Sequence, residues 1–235
     1  EAGVVAAVIE YWAYKKFGDK KYLQAAKWCM DYYDRINKNP YYEMSISFGP
    51  YIAARMNAEL GTKYDPHKYI SWLVKGSDVR TGYGTAEGNW SGYDVYGLGG
   101  SRTDGGGAGY VFVLETFANA FLAPAVKYDP GLAKTVGKWL LNASNAARFF
   151  YADQLPPENQ YYGSKYIHAP EKVIPYEGLK HSEAGQSPRA TGDPVAYNQH
   201  WADYGPTFDV GRSCTNLSIY GGAWTGFFVA VLKNT

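Results

Sequence analysis

At positions 190–201 the chain reads ATGDPVAYNQHW, setting acidic, aromatic and histidine side chains among turn formers, with no helical or strand period. It belongs to an aperiodic segment, 152–222, that holds three of the four histidines (His168, His181, His200) and the carboxylates Glu177, Glu183, Asp193, Asp203 and Asp209. Tyr176, Tyr197, Trp201 and Tyr204 lie among them, and seven of the twelve prolines stiffen the segment. Stiff aromatic loops hold a site open. Tyr and Trp offer a flat apolar face with a polar tip, which suits stacking on sugar rings and bonding to their hydroxyls. Tyr197, Asn198, His200 and Arg189 are close enough in sequence to supply a different chemistry, a base that removes a proton beside a carboxylate and a cation that neutralises that carboxylate.

A second loop-like segment, 76–109, carries twelve glycines in 34 residues, with Tyr83, Trp90, Tyr93 and Tyr96 and the carboxylates Glu87, Asp94 and Asp104. Disordered segments are poor in aromatics, and long loops in compact domains are usually functional, so this stretch is expected to be ordered and to touch a ligand. Its glycines let backbone approach closely. No lysine follows in the phosphate-loop pattern, and no strand precedes it, so no nucleotide cofactor is expected.

The elements that must position these residues are helical. Val5, Val8, Ile9 and Trp12 recur at helical spacing, Gly18 ends the run, and Asp19 caps a second helix whose stripe is Tyr22, Ala25, Ala26, Cys29, Tyr33 and Ile36. A link that short forces an antiparallel pair. The tetrapeptide Lys-Tyr-Asp-Pro occurs at 63–66 and again at 127–130, each time ending one helix and starting another with Asp as cap and Pro at the first helical position. Three helical hairpins are readable, plus a last apolar helix in GGAWTGFFVAVLK, residues 221–233. YVFVLE at 110–115 alternates like a strand, but its continuation into Ala118, Phe121 and Ala125 favours a helix. One hairpin cannot bury its own apolar face, so repeated hairpins imply a stacked or closed all-α architecture.

Composition narrows the partners. The net charge of +1, from 23 basic and 22 acidic residues, leaves no footprint for nucleic acid or an anionic membrane. No apolar run reaches the roughly 18 residues that span a bilayer. Cys29 falls on a helical stripe and Cys214 in a polar loop, which favours a free buried thiol at Cys29. No metal set is expected, since His181 and Glu183 alone have no ligand spacing, and no Gly-x-Ser-x-Gly elbow is present. Asn89, Asn142 and Asn216 head glycosylation sequons, Asn142 inside a predicted helix. The chain opens at Glu1 without methionine, already in a helical pattern, and is expected to be a processed part of something longer.

The hairpin style, the two Lys-Tyr-Asp-Pro helix starts, and the loops IPYEGL (174–179) and ATGDP (190–194) resemble those of the (α/α) toroid carbohydrate-active enzymes. That group comprises the six-hairpin glycosidase-like superfamily and the toroidal polysaccharide lyases. The resemblance covers about 150 residues. A full ring of that kind needs about twelve helices and about seven are readable, so it implies a single domain, 1–235, forming a partial or complete toroid with long Gly- and Tyr-rich loops. It further implies an extracellular or periplasmic enzyme that binds an oligo- or polysaccharide in a cleft at the helical rim. Hydrolysis there would use Glu177 and Asp193, one protonating the leaving oxygen and the other acting as base or nucleophile, with Asp94 or Asp104 as substitutes. Elimination by a lyase would use Tyr197 or His200 as base, and Trp90, Tyr93, Tyr176, Arg189, Tyr197 and Trp201 would bind the sugar. The rival reading is noncatalytic: a sugar-binding module, or a structural protein whose Tyr- and Gly-rich loops contact copies of itself.

Overall fold

A computed structural model describes residues 2–42, 44–79, 82–90, 93–101, 110–150, 177–180 and 189–190. Most of the described residues are helical. Helix α1 (Ala2–Phe17) and helix α2 (Lys20–Arg35) form the first hairpin, with Gly18 at φ 75° donating its N–H to Tyr14 O at 2.8 Å. Asp19 caps α2 as expected, its carboxylate accepting from Lys21 N at 2.9 Å. The buried stripe of α1 is Val4, Ala7, Val8 and Tyr11, whereas Ile9 and Trp12, expected in it, stand exposed. One helical face cannot hold both sets, and the larger contact, with Tyr11 fully buried, wins.

The second hairpin joins α3 (Gly49–Leu60) to α4 (Pro66–Lys75). Asp65 caps α4 through His67 N at 2.9 Å, with Pro66 in the first turn. The other Lys-Tyr-Asp-Pro works the same way: Asp129 accepts from Gly131 N at 3.0 Å and opens the 3₁₀ turn that feeds α7 (Ala133–Ala146). Between them lie α5 (Val113–Ala118) and α6 (Leu122–Tyr128), linked by a 3₁₀ turn at Asn119–Phe121. Tyr11, Met30, Tyr33, Ile52, Met56 and Leu132 are among the residues of the main core.

The departure from the sequence reading is a set of strands. Tyr110–Phe112 forms β5 and stops, and only then does helix begin at Val113. The Gly-rich segment contributes β1 (Tyr83–Thr85), β2 (Asn89–Trp90), β3 (Tyr93–Asp94) and β4 (Gly99–Ser101). Two further strands, β6 (Glu177–Lys180) and β7 (Arg189–Ala190), complete a five-stranded sheet in the order β1-β4-β5-β6-β7, in which each neighbouring pair is antiparallel. The Tyr-Val-Phe alternation therefore describes a strand after all, because glycine neighbours give it a partner that lies flat on a helix. A Cβ on Gly99 would fall 2.9 Å from Glu115 Cγ and 3.0 Å from Thr116 N, both on α5. A second apolar cluster, including Val95, Leu98, Val111, Phe117 and Phe149, fills the space beneath.

Gly97 ties the sheet to α7. It sits at φ 90°, its carbonyl accepts from Trp139 Nε1 at 3.0 Å, and a Cβ there would come 2.7 Å from Ala143 N. Gly97→Ala is expected to cost about 2 kcal/mol from positive-φ strain and backbone crowding together. Thermal denaturation should show a fall of about 4–8 °C.

A polar knot fastens α1 to α3. Glu59 accepts from Lys15 Nζ at 2.8 Å, Arg55 Nε at 2.9 Å and Tyr11 Oη at 2.9 Å, while the Arg55 guanidinium lies 5.4 Å from the rings of both Tyr11 and Tyr128. Burial alone would raise the Glu59 pKa, but the three donors outweigh it and hold the carboxyl at about 2. A depressed folded pKa stabilises the fold above the unfolded value near 4.5, and the contribution disappears as pH falls toward 2. Glu59→Gln should therefore melt below wild type at pH 6, and the gap should close by pH 2 in a pH series of melting curves.

Candidate functional site

The sheet brings the two long segments together. Ladder β4–β5 pairs Gly100 with Val111, and ladder β5–β6 pairs Phe112 with Glu177 across an irregularity in register. Gly99, one step before Gly100, thus shares a row with Phe112, and Glu177 lies two strands away, roughly 10 Å at ordinary strand spacing. Further along, Tyr110 pairs with Lys180, and Lys180 with Arg189.

The row that holds Gly99 and Glu177 is also the end from which the β2–β3 hairpin extends. Ala86 N donates to Leu98 O at 2.7 Å and Val95 N to Gly88 O at 3.1 Å, carrying the β1–β4 pairing outward to the tip. There Asn89 pairs with Asp94, and Trp90 with Tyr93. Asp94 is exposed at this tip, and Tyr96, also exposed, stands two residues on. Tyr93 is half-buried, packed 5.3 Å and 81° from Phe149, so part of its ring serves the fold.

Of the sequence candidates, Glu177, Arg189, Trp90, Tyr93 and Asp94 are placed on one connected β structure or its hairpin extension. Asp104, Tyr176, Asp193, Tyr197, His200 and Trp201 lie outside the described residues, as do His181, Glu183, Asn216, Cys214 and the apolar run 221–233. Asn142 stands on α7, as expected, and Cys29 is a half-buried free thiol whose pKa burial pushes up.

Sequence reasoning missed Glu115. It is fully buried on the first turn of α5, beneath Gly99, where Tyr41, Ser47, Thr116 and Asn119 are buried as well. Ser47 Oγ donates to Asn119 Oδ1, and Thr116 Oγ1 both accepts from Gly99 N at 2.8 Å and bonds Gly99 O at 3.2 Å. Burial, and then the negative charge of Glu115, drive the Tyr41 hydroxyl well above its usual pKa, so it stays protonated. Carboxylates are almost never fully buried unless paired. In sequence, a Glu in a first helical turn reads as a surface residue complementing the helix dipole. The clue was its position, three residues past an apolar strand and inside an otherwise apolar run.

Fully buried, Glu115 cannot touch a substrate, and with Thr116 it fixes the underside of β4. A cavity of about 40 Å³ lined by Leu73, Thr85, Asn119, Leu122 and Trp139 among others has room for about two or three waters and none for a sugar ring. Among the described residues no cluster of three His, Cys, Asp or Glu could hold a metal ion. No described helix is long and apolar enough to cross a membrane. No known protein family, characterised protein or solved structure matches this chain.

Proposed function

We propose that the chain is a carbohydrate-active enzyme, a glycoside hydrolase acting on an oligo- or polysaccharide outside the cytoplasm. Its helical hairpins form part or all of an (α/α) toroid, and the sheet stands at the rim. Glu177 and Asp193 are the catalytic carboxylates, with Trp90, Tyr93, Tyr176, Tyr197 and Trp201 supplying stacking surfaces and Asp94 a further acidic group.

One observation carries this reading: β5 pairs with β4 on one side and β6 on the other, and so bridges the Gly-rich segment to the Pro-rich one. Two segments that are far apart in sequence and both rich in carboxylates and aromatics are thereby neighbours, as a shared cleft requires. Hydrolysis needs a protonated and an ionised carboxyl together, and a partly apolar cleft separates their pKa values.

The lyase reading has an observation of its own. Lys180 stands directly opposite Arg189 in the β6–β7 ladder. The ladder thus brings two cationic residue types to one register position, and a lyase needs a cation to neutralise a uronate carboxylate. Incubation of the full chain with neutral and uronate-containing polysaccharides separates the two reactions. Hydrolysis gives new reducing ends alone, whereas elimination also gives unsaturated, ultraviolet-absorbing ends. Reducing ends without unsaturated product are the expected result, and no cleavage of any polysaccharide would overturn both enzymatic readings.

A further inference from the structure

We infer that the outer face of α1 is a docking surface, and that its occupant is the apolar segment 221–233 of the same chain. This does not rest on the catalytic reading. Between Ala2 and Tyr14 the helix carries one charge, Glu10, close enough to Cys29 of α2 to raise that thiol's pKa. Gly3, about two turns earlier on that side, packs against Tyr33 of α2. Val4, Val8 and Tyr11 face the core, and Trp12 Nε1 reaches Tyr51 Oη on α3 at 3.1 Å.

What remains is a stripe of Ala2, Val5, Ala6, Ile9 and Ala13 at helical spacing, apolar throughout, with Val5, Ala6 and Ala13 half-buried, Ala2 exposed and Ile9 56% exposed. The exposed side of the neighbouring helix differs in kind: α2 presents Lys20, Gln24, Asp31 and Asp34 among its exposed Trp28 and Tyr32. An apolar helical face without charge is the kind that packs against another element.

Residues 221–233 fit that face in length, shape and charge. Residues 221–232 number twelve, as do residues 2–13 of α1, and twelve helical residues span about 18 Å. The segment carries no charge before Lys233, and Trp224, Phe227, Phe228 and Val231 fall at i, i+3, i+4 and i+7. Large side chains on one helix set against the small alanines of the other give a close ridge-and-groove fit. Antiparallel packing places Lys233 at the Ala2 end, away from Lys15 and Lys16. The site-bearing stretch 191–220 would then be anchored at both ends, by β7 and by α1.

The test uses the full chain with Cys29 and Cys214 changed to alanine. Ile9→Cys is combined in turn with Trp224→Cys, Phe227→Cys, Phe228→Cys and Val231→Cys, and each is oxidised at low protein concentration. At least one pair should form an intrachain disulfide, since a bond requires Cα atoms within about 7 Å. Leu141→Cys, on the 75% exposed position of α7, should form none with the same four partners. Absence of any Ile9 link overturns the inference, and so does linking by the Leu141 control to the same extent. A linked dimer from Ile9→Cys alone also overturns it, assigning the face to a second copy. Ile9→Asp in the otherwise unchanged chain provides the second reading: a melting temperature several degrees below that of Leu141→Asp supports the docked segment. Equal melting temperatures overturn it, whether or not the cysteine-free background folds.

Discussion

Glu177→Gln is expected to lower the release of reducing ends by about 10²–10⁴-fold, and Asp193→Asn to do the same. The amide keeps the shape of the carboxyl and its hydrogen-bonding capacity but can neither give up nor take on the proton that glycosidic cleavage needs. Glu177 enters the sheet through its backbone, opposite Phe112, so the substitution leaves the β5–β6 ladder its hydrogen bonds. Unchanged circular dichroism alongside lost activity would therefore assign the effect to chemistry. The two variants should also differ: the residue acting as acid matters less for substrates with a good leaving group, because such a group departs without protonation. Undiminished release from both variants would remove these residues from the mechanism.

Asn39→Ala is expected to produce the largest loss of stability, about 4 kcal/mol, seen as a fall of roughly 8–16 °C in melting temperature. Asn39 is 3% exposed and its side chain serves three backbone groups at once. Nδ2 donates to Trp72 O at 2.8 Å and to Gly76 O at 2.5 Å, and Oδ1 accepts from Tyr41 N at 3.0 Å. Its own backbone is fastened in turn, its N–H donating to Asp78 Oδ2 at 2.7 Å and its carbonyl accepting from Asp78 N at 2.9 Å. Alanine would take their Asn39 partner from Gly76 O and Tyr41 N in a buried place, at about 1–3 kcal/mol each before any water relieves them, while Trp72 O keeps the bond from Gly76 N at 3.2 Å. The consequence reaches the sheet, because Gly84 of β1 lies against Gly76, close enough that a Cβ would sit 2.8 Å from Gly76 Cα. Asn39→Asp should recover only the bond to Tyr41 N and remain strongly destabilised.

The helical frame was legible because its signals are local. Asp19, Asp65 and Asp129 each accept the backbone N–H two residues on, and a cap of that kind needs nothing beyond one turn of chain. Gly18 ends α1 for a similarly local reason. The choice of face was less legible: Ile9 and Trp12 satisfied the helical period as well as Val4 and Tyr11 did, and only the neighbours α2 and α3 decided which set was covered. Strand β5 escaped detection because Tyr-Val-Phe runs without a break into a helix, and its partner β4, Gly-Gly-Ser, carries no apolar pattern.

From the sequence alone came the capped helices, the hairpin links and the chemical character of two long aromatic segments, since propensity, capping and composition act over a few residues. Tertiary structure alone decided that those segments share a sheet, that Glu177 stands in the row of Gly99, and that Glu115 is buried beneath it. Strand pairing and burial depend on which distant residues meet, and glycine permits such meetings without announcing the partner.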